Sequence, residues 1–564
     1  MDKRTARILV IILFLGAFLR IWGINFGLPY QFHQDEPIIV NHALAYGSGD
    51  LNPHFFIIPP LTSYVLFIFY GVYFALLHIL GLAGGTQDFA VSFFRDPAPF
   101  YLIGRLVTGF VPSVLNIFLA YKVTAKFFSK KAAAYSSLVM AVAFLNVANA
   151  HYIYADNLLV LFTLLAYLAI MEFIDKPGSM NYALSAVLIG MAAAVKYNAI
   201  LLLAPFFMAY LIKYGKGITG TIFDPKLWAF TCLVFLTFIV CNPYSVLDYN
   251  FFMISITKGI WSEYIGWTHH IRHSLFQGIS LPVTIGGFIG LCAALKKNAQ
   301  RVLILVSFPV VFYLHLVFKS QPFSRYALVL VPFLSMGLAY LLYDYLYVRF
   351  NSRRVRLALV VLSAAILIPT IAKSAKADLL FSREDTRLIA SRWIEANIPQ
   401  FTKIALDHTF FTPPIKQTMA QLRDKRSITC KQPELEQLKS KKLDFQMNAL
   451  GGLKTYGVYY IVPENENAGK FISFWPVIGN DLKSLKRIGI EYVIINNMES
   501  SESMQDFQKT VVDECIPVAQ FSPYKSGAFK SSQDEIETTC IPIDDEELFM
   551  RQRFGPYIGI YRIR

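Results

Sequence analysis

The chain has 564 residues, of which 55% are hydrophobic, 15% aromatic and only 16% charged, with a mean hydropathy of +0.46. So few polar groups exclude a soluble globule of this size, and the composition is that of an integral membrane protein. The formal net charge of +14 does not mark a nucleic-acid binder, because Lys and Arg gather at the ends of apolar segments, where they set topology and meet lipid headgroups.

The opening stretch MDKRTARILVIILFLGAFLRIWG has a basic start, but its apolar run outlasts a signal-peptide core and no small-residue cleavage site follows. It reads as a retained first span. Spans of about 20 mostly apolar residues are predicted to begin near residues 8, 101, 132, 155, 180, 198, 226, 279, 301, 326 and 355, eleven in all. Between them lie Lys122, Lys126, Lys130 and Lys131; Lys213, Lys216 and Lys226; Lys296, Lys297 and Arg301; and Arg349, Arg353, Arg354 and Arg356. If the eleven spans alternate, these clusters share one face with Lys3, Arg4 and Arg7, and the positive-inside bias names that face cytoplasmic.

Residues 59–82, PPLTSYVLFIFYGVYFALLHILGL, are long and apolar enough to cross. A crossing would separate the cluster from Lys122 to Lys131 from the one before Arg7. The expectation is therefore that the segment enters the membrane and returns, or lies along its outer face, with an ordinary twelfth helix as the alternative. After about residue 375 short apolar runs such as TKIALDH and IEYVIINN alternate with helical stretches such as DTRLIASRWIEANI. The fold class is thus an α-helical polytopic membrane module over residues 1–374 followed by an extracytoplasmic α/β domain over residues 375–564. In an oxidising compartment Cys515 and Cys540 would be able to pair, with Cys430 left over. The chain has no Asn-x-Ser/Thr sequon, which favours the plasma (inner) membrane of a prokaryote.

On this topology the outer loops hold the chemistry: Asp35 and Glu36 with His33, His42 and His54; Arg105; His151 and Asp156; Lys196 and Tyr197; His269, His270 and His273; and Lys319, Arg325 and Tyr326. Ionisable groups at membrane depth are costly and by default mark a site. Structural readings stand beside the functional ones. Lys319 and Arg325 would snorkel, the three histidines would sit in an aromatic belt with Trp261 and Trp267, and Asp156 would cap the helix beside it. Asp35 and Glu36 precede Pro37, which favours a first helical turn, yet a cap uses one carboxylate and two are present. A carboxylate near fixed cations suits deprotonation of an acceptor while an anionic leaving group is held. For a site open to the bilayer the obvious leaving group is a lipid-linked phosphate.

The order of DE at Asp35 and Glu36, GD at Gly49 and Asp50 before Pro53, PPL at Pro59 to Leu61, GR at Gly104 and Arg105, Asp156 before a leucine-rich span, KY at Lys196 and Tyr197, and RY at Arg325 and Tyr326 resembles the GT-C superfamily of glycosyltransferases. The likeness is to family 39, with its protein O-mannosyltransferases and aminoarabinose transferases. It implies a membrane enzyme, inverting, that moves a sugar from a polyprenyl (undecaprenyl or dolichyl) phosphate to an acceptor hydroxyl of a protein, lipid or glycan. Asp35 would be the base with Glu36 beside it, and Arg105, Lys196, Arg325 and Tyr326 would hold the donor phosphate. Asp156, His54 and His151 would orient acceptor or cations, and the segment from His269 to His273 would lie where the lipid enters. The first outer loop and the PPL segment would build the site. Ile58 stands where mannosyltransferases have His and aminoarabinose transferases have Lys, so neither substrate carries over. No cofactor is implied; a divalent ion on Asp35, Glu36 and the histidines is the alternative, although hard-cation sites want several carboxylates. A lipid or solute transporter is the rival reading, but such chains show duplicated halves and broken helices in matching positions, and this chain shows neither.

Overall fold

The computed structural model describes residues 2–33, 35–215, 217–260, 266–318, 323–407, 411–428, 433–462, 476–496, 502–525 and 545–564. The chain divides into two compact units, one of residues 1–24, 38–70 and 103–378, the other of residues 25–37, 71–102 and 379–564.

The first unit is helical; ten of the eleven expected span starts fall on a helix, and the other, residue 155, directly precedes helix Asp156–Asp175. Among the described residues seven helices are long and apolar enough to cross a membrane, and the pair His270–Ile279 and Leu281–Lys297, bent by 109°, is an eighth candidate. Ser179–Val195 and Pro225–Cys241 are apolar but shorter. Residues 59–82 form one unbroken helix, Leu61–Ile79. This corrects the expectation that the segment enters and returns, because 19 helical residues make a straight rod of about 28 Å with no turn at its middle.

The first helix, Lys3–Ile21, is tied in by Arg20, which is fully buried. Its guanidinium donates to Ser113 Oγ at 2.7 Å, to the carbonyls of Gly16 and Ala141 at 2.9 and 2.8 Å, and to that of Met140 at 2.9 Å. These bonds give a buried cation the partners it needs. The basic turns do converge. Arg301 donates to Asp175 and to the Lys126 carbonyl, the Ser129 N–H donates to Asp344, and Lys131 and Arg356 both lie over the Tyr347 ring.

Helix Leu281–Lys297 meets helix Val331–Ala339 backbone to backbone through Gly287, Gly290 and Gly337, as small residues allow in membranes. A Cβ at Gly290 would fall 1.8 Å from the Gly337 carbonyl oxygen. Gly290→Ala is expected to lower stability by about 1–3 kcal/mol through overpacking, read as a lower unfolding midpoint in detergent. Gly47→Ala, which meets nothing within 4 Å, should leave the midpoint unchanged.

The second unit is built on a six-stranded sheet: β1 (Lys403–Leu406), β2 (Gly457–Val462), β3 (Val477–Gly479), β4 (Tyr492–Asn496), β5 (Ile516–Phe521) and β6 (Ile558–Arg562), in the order β3-β2-β1-β4-β6-β5. The first four in that order pair parallel, and β6 and β5 antiparallel. Alternation puts Ala405, Val493 and Ile495 on one face with Phe507 and Val511 of helix Glu502–Glu514, while Ile404, Leu406 and Ile494 meet Ile394 of helix Thr386–Asn397 on the other. Parallel strands buried on both faces read as continuous apolar runs, which is why TKIALDH and IEYVIINN were legible. Cys515 is a free, buried thiol; its proposed partner Cys540, and Cys430, lie outside the described residues.

Asp407 directly follows β1 and accepts hydrogen bonds from the Asn496 N–H at 2.8 Å, Asn496 Nδ2 at 2.9 Å and Gln508 Nε2 at 2.7 Å. Burial pushes its carboxyl up to about 7, and the hydrogen bonds from Asn496 and Gln508 offset this only in part. The folded unit therefore holds a proton that the unfolded chain, with an ordinary carboxyl near 4, has lost. Stability from this group is complete below about pH 4, falls as the pH rises towards 7 and is flat beyond. Pulse proteolysis of the sheet unit across that range should show the decline, and Asp407→Asn, which never ionises, should remove this part of it.

Candidate active site

Asp156 opens the 20-residue helix Asp156–Asp175, with Ala155 in the N-cap position. Its side chain is therefore not the cap; it serves an ion pair. Lys196 follows directly on helix Ser179–Val195, and Arg325 lies in the tight turn of helix Ser324–Leu330. Lys196 Nζ donates to Asp156 Oδ1 at 2.6 Å, and Arg325 Nε stands 3.9 Å from Asp156 Oδ2. Asp156 and Arg325 are 4% and 8% exposed, so these charges face one another with little water between them and interact far more strongly than at a surface. Aromatic rings complete the group. Lys196 Nζ sits 4.3 Å from the centre of Tyr326, and the Arg325 guanidinium 4.1 Å from that of Phe323 and 4.8 Å from that of Tyr154. Among the described residues the group holds one carboxylate and two cations, a balance that suits a phosphate.

The loop of residues 49–60 is tied to this group. Tyr197, next to Lys196, donates its hydroxyl to the Phe56 carbonyl at 2.9 Å, and Tyr64 donates to the Leu51 carbonyl at 2.9 Å. His54, in the left-handed conformation at φ 46°, has Nε2 2.8 Å from Asp50 Oδ2. Asn52 Nδ2 donates to Asp248 Oδ2 at 2.9 Å. Asp248 holds the loop in place and was not singled out from sequence.

Arg105 and His151 occupy a second buried group. Arg105, fully buried at the start of a π-helical turn, donates to the Ile24 carbonyl at 2.9 Å. His151 has Nδ1 2.9 Å from the Val147 carbonyl and Nε2 3.0 Å from the Trp22 carbonyl. Both partners are acceptors, and a neutral ring donates to only one of them; the fully buried Asp378 carboxyl lies 3.8 Å from Nε2. Asp378 carries no motif and was missed; no local spacing in sequence points from residue 151 to residue 378.

The histidine segment is a π-helical turn, His270–Phe276, in which His270 Nδ1 meets Ser274 Oγ at 2.8 Å and the rings of His269 and His273 lie 4.9 Å apart. Ser324 donates to the His273 carbonyl at 3.4 Å, which puts this turn beside Arg325. Lys319 and Trp261 lie outside the described residues. Asp35 and Glu36 belong to the second unit; helix Glu36–Ala45 starts directly after Asp35, whose N–H donates to His33 Nδ1 at 3.0 Å, and Glu36 is fully buried. Among the described residues no three His, Cys, Asp or Glu side chains gather as ligands of a metal.

The model of the dolichyl-phosphate-mannose-protein mannosyltransferase family matches residues 104–244, about a quarter of the chain and the stretch that carries Asp156 and Lys196. The Archaeoglobus fulgidus oligosaccharyltransferase in the apo form superposes with a TM-score of 0.50 at 12% identity, over 94% of this chain and 74% of that one. The chain has the GT-C fold. ArnT from Cupriavidus metallidurans bound to undecaprenyl phosphate is also similar, with a TM-score of 0.48 at 12% identity over 99% of this chain and 97% of that one. No curated protein matches the sequence.

If Asp156 and Lys196 hold one another, Lys196→Met and Asp156→Leu should each destabilise the protein by stranding a buried charge. The double variant should then cost less than their sum by about 1–3 kcal/mol. Unfolding midpoints of the four proteins in one detergent measure this, and simple additivity would mean the pair is not coupled.

Proposed function

We propose that this protein is a membrane glycosyltransferase that moves a sugar from a polyprenyl phosphate to an acceptor hydroxyl, with inversion at the sugar carbon. The observation that carries the reading is the Asp156, Lys196 and Arg325 group under Tyr326, Phe323 and Tyr154, with Asp156 and Lys196 inside the segment that matches the mannosyltransferase family. That family's description names a dolichyl-phosphate sugar as donor, and the neighbour of like fold is an oligosaccharyltransferase.

In the mechanism, Asp35 takes the proton of the acceptor hydroxyl as its oxygen attacks the sugar carbon. The bond from that carbon to the phosphate oxygen breaks, and its electron pair stays on the phosphate. Lys196 and Arg325 balance the charge that develops there. Asp156 fixes the Lys196 ammonium, and Tyr326 lies against it. Glu36 and His54 orient the acceptor side. Arg105 and His151 hold the chain at Trp22 and Ile24, and the turn from His269 to His273 flanks the path of the lipid. The positive-inside bias of the basic helix ends supports a cytoplasmic N-terminus and an extracytoplasmic sheet unit in the plasma membrane of a prokaryote. The acceptor is a hydroxyl of a protein, lipid or glycan.

Transfer of label from a panel of polyprenyl-phosphate sugars by the purified chain tests the activity. Asp35→Asn keeps size and hydrogen bonding but removes the proton acceptor, so transfer should fall by about 10²-fold or more with the unfolding midpoint unchanged. A purely capping Asp35 predicts no loss, because Asn caps as well as Asp; a folded variant with full transfer rate would exclude Asp35 as the base.

A further inference from the structure

The basic helix ends enclose a cavity of about 420 Å³ within the helical unit, at the opposite ends of these helices from the Lys196 and Arg325 group. Its rim is polar: Lys297 ends helix Leu281–Lys297, Asn298 caps helix Ala299–Val317, and Arg301 lies in the first turn of the latter. Across from them Ser129 caps helix Lys130–Val142. Two helix N-termini thus point at a rim that carries two cations, an arrangement that favours an anion. One carboxylate, Asp344, also lines the cavity, and its Oδ2 accepts the Ser129 N–H at 2.8 Å. It neutralises the Ser129 side and leaves the anion's place beside Lys297. Arg301 is partly engaged, donating to Asp175 Oδ1 at 3.0 Å and to the Lys126 carbonyl at 3.4 Å. Those contacts use two of the five N–H groups of a guanidinium.

The floor is of another kind. Phe128 and Tyr340 lie with ring centres 4.9 Å apart, and Ala294 and Val302 also line the cavity. Val348 lines the cavity and is 63% exposed, so the cavity has an exposed apolar edge. A free phosphate gains nothing from such a floor, whereas an amphiphile satisfies both parts.

We propose that this cavity binds the phosphate headgroup of an anionic phospholipid from the leaflet that the basic helix ends face. This site is separate from that of the proposed sugar donor and rests only on the membrane fold, so it stands or falls independently of the glycosyltransferase reading. Bound lipid would add to the contacts that already join the turn at Ser129 to helices Leu281–Lys297 and Ala299–Val317.

The test uses the full chain in phosphatidylcholine nanodiscs containing a photoactivatable phosphatidylglycerol, with crosslinked peptides identified by mass spectrometry. Crosslinks should concentrate on peptides with residues 127–129 and 340–348. Lys297→Gln should lower them about fivefold, in line with one lost cation near a lipid surface, and Val348→Trp should lower them by filling the cavity while both cations remain. Inorganic phosphate should not compete. Crosslinks spread evenly over the lipid-facing helices, or unchanged in both variants, would overturn the site. Displacement by inorganic phosphate would overturn the lipid as its occupant.

Discussion

The arrangement depends on a single buried carboxylate. Asp156 lies at the start of a helix, 4% exposed, and without cationic partners it would be too costly to keep charged there. Lys196 at 2.6 Å and Arg325 at 3.9 Å supply them. Each cation comes from a different helix end, so one charge requirement fixes the relative placement of three segments distant in sequence. Among the described residues the group holds two cations to one carboxylate, and the stabilising interaction and the proposed phosphate subsite are the same set of atoms.

Elsewhere in the helical unit the same rule ties segments together. Arg20 has four acceptors on three segments, and Arg105 and His151 grip the carbonyls of Ile24 and Trp22. These side chains are as buried as those of the candidate site, and burial therefore does not separate a structural cation from a functional one. What differs is the closest contact: backbone carbonyls and a hydroxyl around Arg20, a carboxylate at 2.6 Å and an aromatic face around Lys196.

The expected span starts were legible because each rests on composition over about 20 residues, and the strands because buried parallel strands are continuous apolar runs. The site was legible in part. Asp156, Lys196, Arg325 and Tyr326 stand out as polar residues beside apolar segments, and the structure joins them. Phe323 and Tyr154 were hidden because aromatics are common throughout the chain, and Asp248 because its role is a hydrogen bond to Asn52 from 196 residues away. The reading of residues 59–82 as a segment that turns back failed because it came from counting charges across loops, while helix continuity depends on local residues, and nothing between Leu61 and Ile79 breaks it.

By itself the sequence determined that this is a membrane protein with an appended α/β unit, since hydrophobicity and its periodicity act locally and need no contact to be read. It also determined which polar residues are too costly in an apolar setting to be there without a reason. Only the tertiary structure decided which of those residues meet. Partner choice among buried charges is set by where helix ends come to lie, and that follows from close approaches such as Gly290 against Gly337, which no single segment encodes. Hence Lys196 could be recognised from sequence as important, but its place beside Asp156, and that of Arg105 beside Ile24, follow from packing.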